Sequence, residues 1–191
     1  MSLVELITQA DERALAAGGL ACLDRCVALL GGDDEVLRPL WASLADGSGW
    51  AEGLEKARGA LAPADPGGPG EPGEDEAALL ARRMLDEAPA ERTADAVRAW
   101  ADACSLAALR IHHLLCPATD AAAGDEDLEA ARAGTTEDLS PLVAAELRRQ
   151  TVVLELLAEH GTGGLRRALD VSVEGRRVLR AVVSRRARGR G

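Results

Sequence analysis

The stretch Thr93–Cys116, TADAVRAWADACSLAALRIHHLLC, decides the fold. Thr93 is a suitable N-cap, and Pro117 stops the pattern one residue past its end. From Leu106 onward the polar side of the pattern disappears. A helix that is apolar nearly all round is surrounded by other elements, so the stretch predicts the central helix of a bundle. Its core face has steps of three and four residues, as helical packing requires, and comprises Val97, Trp100, Cys104, Ala107, Ile111 and Leu114.

The composition favours the same class of fold. The chain has no Phe and no Tyr, and its 47% apolar fraction is made mainly of Leu, Val and Ala. Because Ala and Leu are the strongest helix formers, we predict an all-α, multi-helix bundle of six to eight helices around the central one. Its expected main partner is the helix Pro141–His160, which starts with the N-cap Ser140 followed by Pro.

Proline and glycine divide the chain into three parts. Residues 62–75 contain four Pro and four Gly, a composition typical of a flexible linker. We therefore predict an N-terminal subdomain of short helices over residues 1–61. Residues 76–191 are predicted to form the helical bundle, which ends in a basic C-terminal tail.

Helix boundaries follow from the same residues. Gly18-Gly19 and Gly31-Gly32 are interpreted as helix ends. Pro39 either kinks a helix or starts it one turn late. The region Leu165–Ala187 is a further amphipathic helix, with a candidate break at Asp170–Ser172.

Charge is strongly divided along the chain. From Leu165 to Gly191 there are nine Arg and two acidic residues, giving +7, whereas the preceding residues give −17 from 13 basic and 30 acidic groups. An acidic body repels nucleic acid and anionic lipid, and the tail lacks interleaved aromatic residues that stack on bases. We expect the tail to pair with the acidic body of the same chain, with that of a second copy or with a protein partner, and nucleic acid to bind only non-specifically. The candidate partner-binding residues are Arg176, Arg177, Arg180, Arg185 and Arg186.

A metal site is an alternative hypothesis. Cys104 and Cys116 are twelve residues apart on one helix, or about 18 Å, so they cannot share an ion. The remaining combination is Cys22 and Cys26 on one helix with His112 and Cys116 on another, which predicts a zinc or redox site. The more frequent role of a Cys in an Ala-rich core is that of a small apolar residue.

Two further polar features interrupt apolar helices. His112 and His113 lie near a helix C-terminus, where the helix dipole favours histidine without any chemistry. Gln150 interrupts the apolar stripe of Pro141–His160. A buried glutamine that fixes helix register is one interpretation, and a glutamine turned to the edge of the stripe is the one we expect.

The sequence lacks several common enzyme motifs and targeting signals. The sequence contains no G-x-S-x-G, G-x-x-x-x-G-K-[ST], H-E-x-x-H or G-x-G-x-x-G. It has no apolar run long enough to cross a membrane and no N-terminal signal pattern, so we expect a cytoplasmic protein. All basic residues except Lys56 are Arg, which suggests a GC-rich bacterial genome.

These observations favour a non-catalytic, acidic helical protein that acts through protein–protein interaction or self-association. The first alternative is a thiol and imidazole metal-binding or redox protein. The second is an enzyme of unknown class.

Overall fold

The computed structural model describes residues 1–33, 35–62, 72–116, 124–137 and 139–189, except for the side chains of residues 72–75 and 125. Within these ranges the chain forms helices and no strand, which confirms the predicted all-α bundle. Short 3₁₀ turns follow two of the helices, at Val27–Leu30 and Gly161–Gly164. The helices are α1 (Leu3–Gln9), α2 (Glu12–Cys26), α3 (Arg38–Asp46), α4 (Trp50–Ala60), α5 (Pro72–Asp86), α6 (Ala94–Leu114), α7 (Asp125–Ala133), α8 (Pro141–His160) and α9 (Leu165–Arg188).

Local capping sets the ends of α6 and α8 as predicted. The hydroxyl of Thr93 accepts a hydrogen bond from the backbone N–H of Ala96 at 3.3 Å. The hydroxyl of Ser140 accepts one from the N–H of Val143 at 3.4 Å. Each bond satisfies an N–H group that has no partner within the helix, so both helices begin where their caps lie.

The main partner of α6 differs from the prediction. The most extensive helix contact in the described residues joins α6 to α2, followed by the contact of α2 with α9. Helix α8 packs against α6, α2 and α9, but less extensively on α6 than α2 does. The core is therefore organised around α2 and α6 together.

The prediction that Gly18-Gly19 ends a helix is wrong. Helix α2 runs through both glycines, and the break in the chain comes earlier, where Asp11 caps the N–H of Ala14 at 2.8 Å. A Cβ on Gly19 would lie 2.6 Å from Cζ3 of Trp100. The glycine thus lets α2 and α6 approach closely rather than ending the helix.

Residues 1–61 and 76–191, the predicted N-terminal subdomain and bundle, pack on each other in the structure. One continuous hydrophobic core contains residues from both 1–61 and 76–191, and α2 contributes a large part of it. Of the predicted linker, residues 63–71 lie outside the described residues. Helix α5 begins at Pro72, so the last part of that segment is helical.

The remaining boundaries follow the sequence closely. Pro39 lies in the first turn of α3, which therefore starts late rather than kinking. Gly31 ends the turn after α2 with a left-handed φ of 70°. Helix α9, in contrast, is continuous through Asp170–Ser172, so the candidate break there is absent. In the described ranges, no helix combines the length and the apolarity that a membrane crossing requires.

Candidate functional site

A buried ion pair joins α2 to α8 at the centre of the bundle. The Nε of Arg25 donates to Oε2 of Glu146 at 2.8 Å, and its Nη2 donates to Oε1 at 2.6 Å. Both side chains are fully buried. Burial alone raises the pKa of Glu146, but the charge and hydrogen bonds of the Arg25 guanidinium outweigh it, and the pKa is lowered. The carboxylate is therefore charged at neutral pH.

His112 of α6 lies on the other side of the same carboxylate. Its Nδ1 is 2.7 Å from the carbonyl oxygen of Ala108, which can only accept, so Nδ1 carries the proton of the neutral ring. Its Nε2 lies 3.5 Å from Oε2 of Glu146. Burial lowers the pKa of His112, and this effect exceeds the opposing effect of Glu146. The buried ring is therefore neutral near pH 7.

Gln150 completes this network, contrary to the expectation that it turns to the edge. The residue is buried, and its Nε2 donates to Oε1 of Glu146 at 3.0 Å and to the carbonyl of Ser105 at 3.2 Å. The hydroxyl of Ser105 donates to Oε1 of Gln150 at 2.6 Å. Because each of these bonds needs one relative position of α6 and α8, the glutamine fixes their register.

The sequence carried a signal for this network, although the predicted sites did not include it. Asp24 and Arg25 are consecutive charges inside the otherwise apolar run of Leu20–Leu30. Glu146 and Gln150 are one turn apart on the apolar stripe of α8. Charged residues on the buried faces of helices require partners of opposite charge. The charges of α2 and the charge of Glu146 on α8 therefore indicate a buried ion pair between these helices.

A second buried pair joins α2 to α9. The Nη1 of Arg176 lies 2.9 Å from Oδ1 of Asp24, and the indole N–H of Trp41 donates to Oδ2 of Asp24 at 2.9 Å. Arg176 is buried, so its predicted place among the surface partner-binding residues is wrong. It occupies the core face of α9, four residues after buried Ser172 and three before buried Leu179.

The end of α9 exposes a basic face. Its four members lie within one broad side of the helix at helical spacing and are all exposed; they are Arg177, Arg180, Arg185 and Arg188. We call this set the α9 basic face. Among the described residues, Arg177, Arg185 and Arg188 form no ion pair. The charge of these three residues is therefore directed to solvent.

Arg186, the remaining predicted partner-binding residue, lies outside this face. It is half-buried, and its Nη1 donates to the carbonyl of Leu114 at 3.2 Å. That carbonyl belongs to the last turn of α6, where a cation is favoured by the helix dipole. The contact joins the ends of α6 and α9.

The residues predicted to bind zinc do not come together as a ligand set. Within the described ranges, no three His, Cys, Asp or Glu side chains are arranged to hold a metal ion. Cys22 lies 3.5 Å from Nη2 of Arg25, whereas Nε2 of His112 faces Glu146. Burial raises the pKa of Cys22 to about 12 and raises that of Cys26. Thiolates are the metal ligands and nucleophiles, so this environment disfavours both metal binding and redox chemistry there. Cys116 is also buried.

No protein-family model matches the chain, and neither a curated protein nor a solved structure matches it.

Proposed function

We propose that the protein is a non-catalytic helical interaction protein that binds an acidic protein surface through the α9 basic face. One observation carries the proposal: every exposed charge of α9 from Arg177 to Arg188 is basic, in a chain whose net charge is −10. We further propose that it acts in the cytoplasm.

Electrostatics distinguishes the candidate partners. A rigid helix with several exposed guanidinium groups attracts carboxylates and orients them by paired hydrogen bonds. Long-range repulsion between the acidic body and a nucleic acid opposes binding to DNA or RNA. An acidic protein patch of limited size contacts the basic face while it avoids most of the body, so it is the partner that this distribution favours.

The test measures binding of a fluorescently labelled poly-L-glutamate peptide, followed by anisotropy at increasing salt. A variant with Arg177→Glu, Arg185→Glu and Arg188→Glu reverses the basic face. The matched control reverses three other exposed arginines, as Arg148→Glu, Arg166→Glu and Arg167→Glu. Both variants have the same net charge, so only the position of the charge differs.

We expect the wild-type chain and the control to bind the peptide, with affinity that falls as salt rises. The basic-face variant is expected to bind at least about tenfold more weakly than the control. Equal loss in both variants, or no binding at low salt, would contradict the proposal. Tighter binding of a DNA duplex than of the peptide through the same residues would overturn it in favour of nucleic acid.

A further inference from the structure

A groove runs along the outer side of the α5–α6 pair. These helices are antiparallel, because Trp100 donates its indole N–H to the carbonyl of Met84 while Arg110 pairs with Glu76 at 2.9 Å. The groove encloses about 490 Å³. Its wall is largely apolar and includes Leu80, Met84, Trp100, Ala103, Leu106 and Ala107.

An apolar side chain protrudes beside this groove. Leu79 of α5 is 65% exposed, more than any other large apolar side chain of the described residues after Met1. Its neighbour Leu80 lines the groove. Burying a leucine contributes about 1.5–3 kcal/mol relative to leaving it exposed. The same surface thus carries both a projecting leucine and a cleft lined by small and apolar residues.

A two-fold rotation would bring opposite charges at the edge of the groove together. Consider two copies of α5 packed antiparallel about an axis that passes between Leu79 and Leu80. Residue 83 of one copy then lies opposite residue 76 of the other. Arg83 is exposed and, among the described residues, forms no ion pair; Glu76, whose Oε1 accepts from Arg110, keeps 45% of its side chain exposed. Both Arg83–Glu76 contacts are attractive, and Leu79 of each copy meets Leu80 of the other.

We propose that two copies of this chain associate through α5, with Leu79 of each copy in the α5–α6 groove of the other. A two-fold interface requires one patch that complements itself, and this patch places an exposed leucine against a cleft and an arginine against a glutamate. The surface is separate from the α9 basic face. A dimer presents two basic faces and binds a partner with two acidic patches more tightly through avidity.

The experiment measures the mass of the full chain by sedimentation velocity from about 1 to 100 μM, without any acidic peptide. The wild-type chain is expected to form a dimer. Leu79→Glu places a charge at the centre of the contact and is expected to weaken the dimer about tenfold or more. The matched control is Val152→Glu, which puts the same charge at an exposed apolar residue of α8 and leaves the dimer intact.

A charge exchange tests the geometry. Arg83→Glu and Glu76→Arg each create two repulsive contacts in a dimer of one variant, so each variant alone is expected to be monomeric; Glu76→Arg also removes the pair with Arg110 of the same chain. Mixed together, they restore two attractive contacts, and native mass spectrometry is expected to show the mixed dimer in excess over both dimers of single variants. Circular dichroism of each variant verifies that the helices remain folded.

Three outcomes overturn the proposal: a monomeric wild-type chain over the whole range, a dimer that Leu79→Glu and Val152→Glu affect equally, and no mixed dimer from the two charge variants. None of these outcomes bears on peptide binding by α9, so failure here is distinguishable from failure of the proposed function.

Discussion

Arg25 and Glu146 lie 121 residues apart in the sequence, yet their side chains form an ion pair with three hydrogen bonds that is fully shielded from solvent. The guanidinium reaches the carboxylate from α2, and the carboxylate belongs to α8. A buried charge that loses its partner costs far more than an exposed one, so this pair ties the N-terminal part of the chain to the bundle.

Replacing one member of this pair is expected to destabilise the fold strongly. We predict that Arg25→Met lowers the free energy of unfolding by about 3–5 kcal/mol, because Glu146 stays buried without its cation. The double variant Arg25→Met with Glu146→Leu is expected to lose less than the sum of the two single losses. Urea unfolding measures all three.

The control for this cycle is the exposed pair of Arg38 and Glu35, whose side chains are 70% and 58% exposed. Arg38→Met is expected to change stability by less than about 1 kcal/mol. Strictly additive losses at Arg25 and Glu146 would contradict the coupling.

Stability is expected to fall on mild acidification because of His112. Burial lowers its pKa below 6.5 in the folded chain, whereas the unfolded chain binds the proton near pH 6.5. The unfolded state therefore holds more protons below that pH. The contribution of His112 is complete above pH 6.5 and is lost as the pH falls from there through the folded pKa, with a slope of at most about 1.4 kcal/mol per pH unit.

Urea midpoints between pH 5 and pH 8 test this dependence. We expect His112→Gln to flatten the profile below about pH 6.5. His113→Gln, at the adjacent half-buried histidine, is the matched control for the substitution. A profile that is equally steep in wild type and His112→Gln would falsify the assignment.

Gly19 is expected to tolerate no side chain. A Cβ there overlaps the ring of Trp100, which is rigid and buried, so Gly19→Ala should destabilise the fold by about 1–3 kcal/mol. Gly59→Ala is the control, since that glycine is in α4 with nothing within 4 Å of its Cβ position. It should stabilise the fold by about 0.5–1 kcal/mol through helix propensity. Thermal unfolding compares the two, and a stabilised Gly19→Ala would exclude the close contact.

Two consecutive arginines of α9 are expected to behave differently. Arg176→Gln removes the cation that lies 2.9 Å from buried Asp24 and should cost about 3 kcal/mol of stability. Arg177→Gln changes an exposed side chain and should shift stability by less than about 0.5 kcal/mol. Chemical denaturation of both proteins measures the difference, and equal stabilities would place Arg176 outside the core.

Much of the helical structure could be predicted from local sequence patterns. The caps at Thr93 and Ser140 act within one turn, and Gly31 ends its turn through its own backbone conformation. Gly18-Gly19 misled the prediction because the backbone freedom of glycine is also used where two helices touch. A glycine is needed at residue 19 because the ring of Trp100, which is distant in sequence, lies against it.

The contacts of the interior side chains were harder to predict from the sequence. The position of Arg176 on the core face could have been recognised from its spacing to Ser172 and Leu179. Its partner could not, because an apolar stripe shows that a face is buried but not which helix covers it. The same holds for Gln150, whose burial depends on the opposing Ser105 and on Glu146.

The sequence by itself determined that this chain is an assembly of amphipathic helices, and most places where they begin and end. Those features depend on hydrogen bonds and backbone preferences within a few residues. Only the tertiary structure decided that α2 and α6 form the centre, that Arg25 meets Glu146, and that Arg176 turns inward while Arg177 turns outward. These depend on packing between distant segments, where one apolar face accepts several partners and the buried charges select one of them.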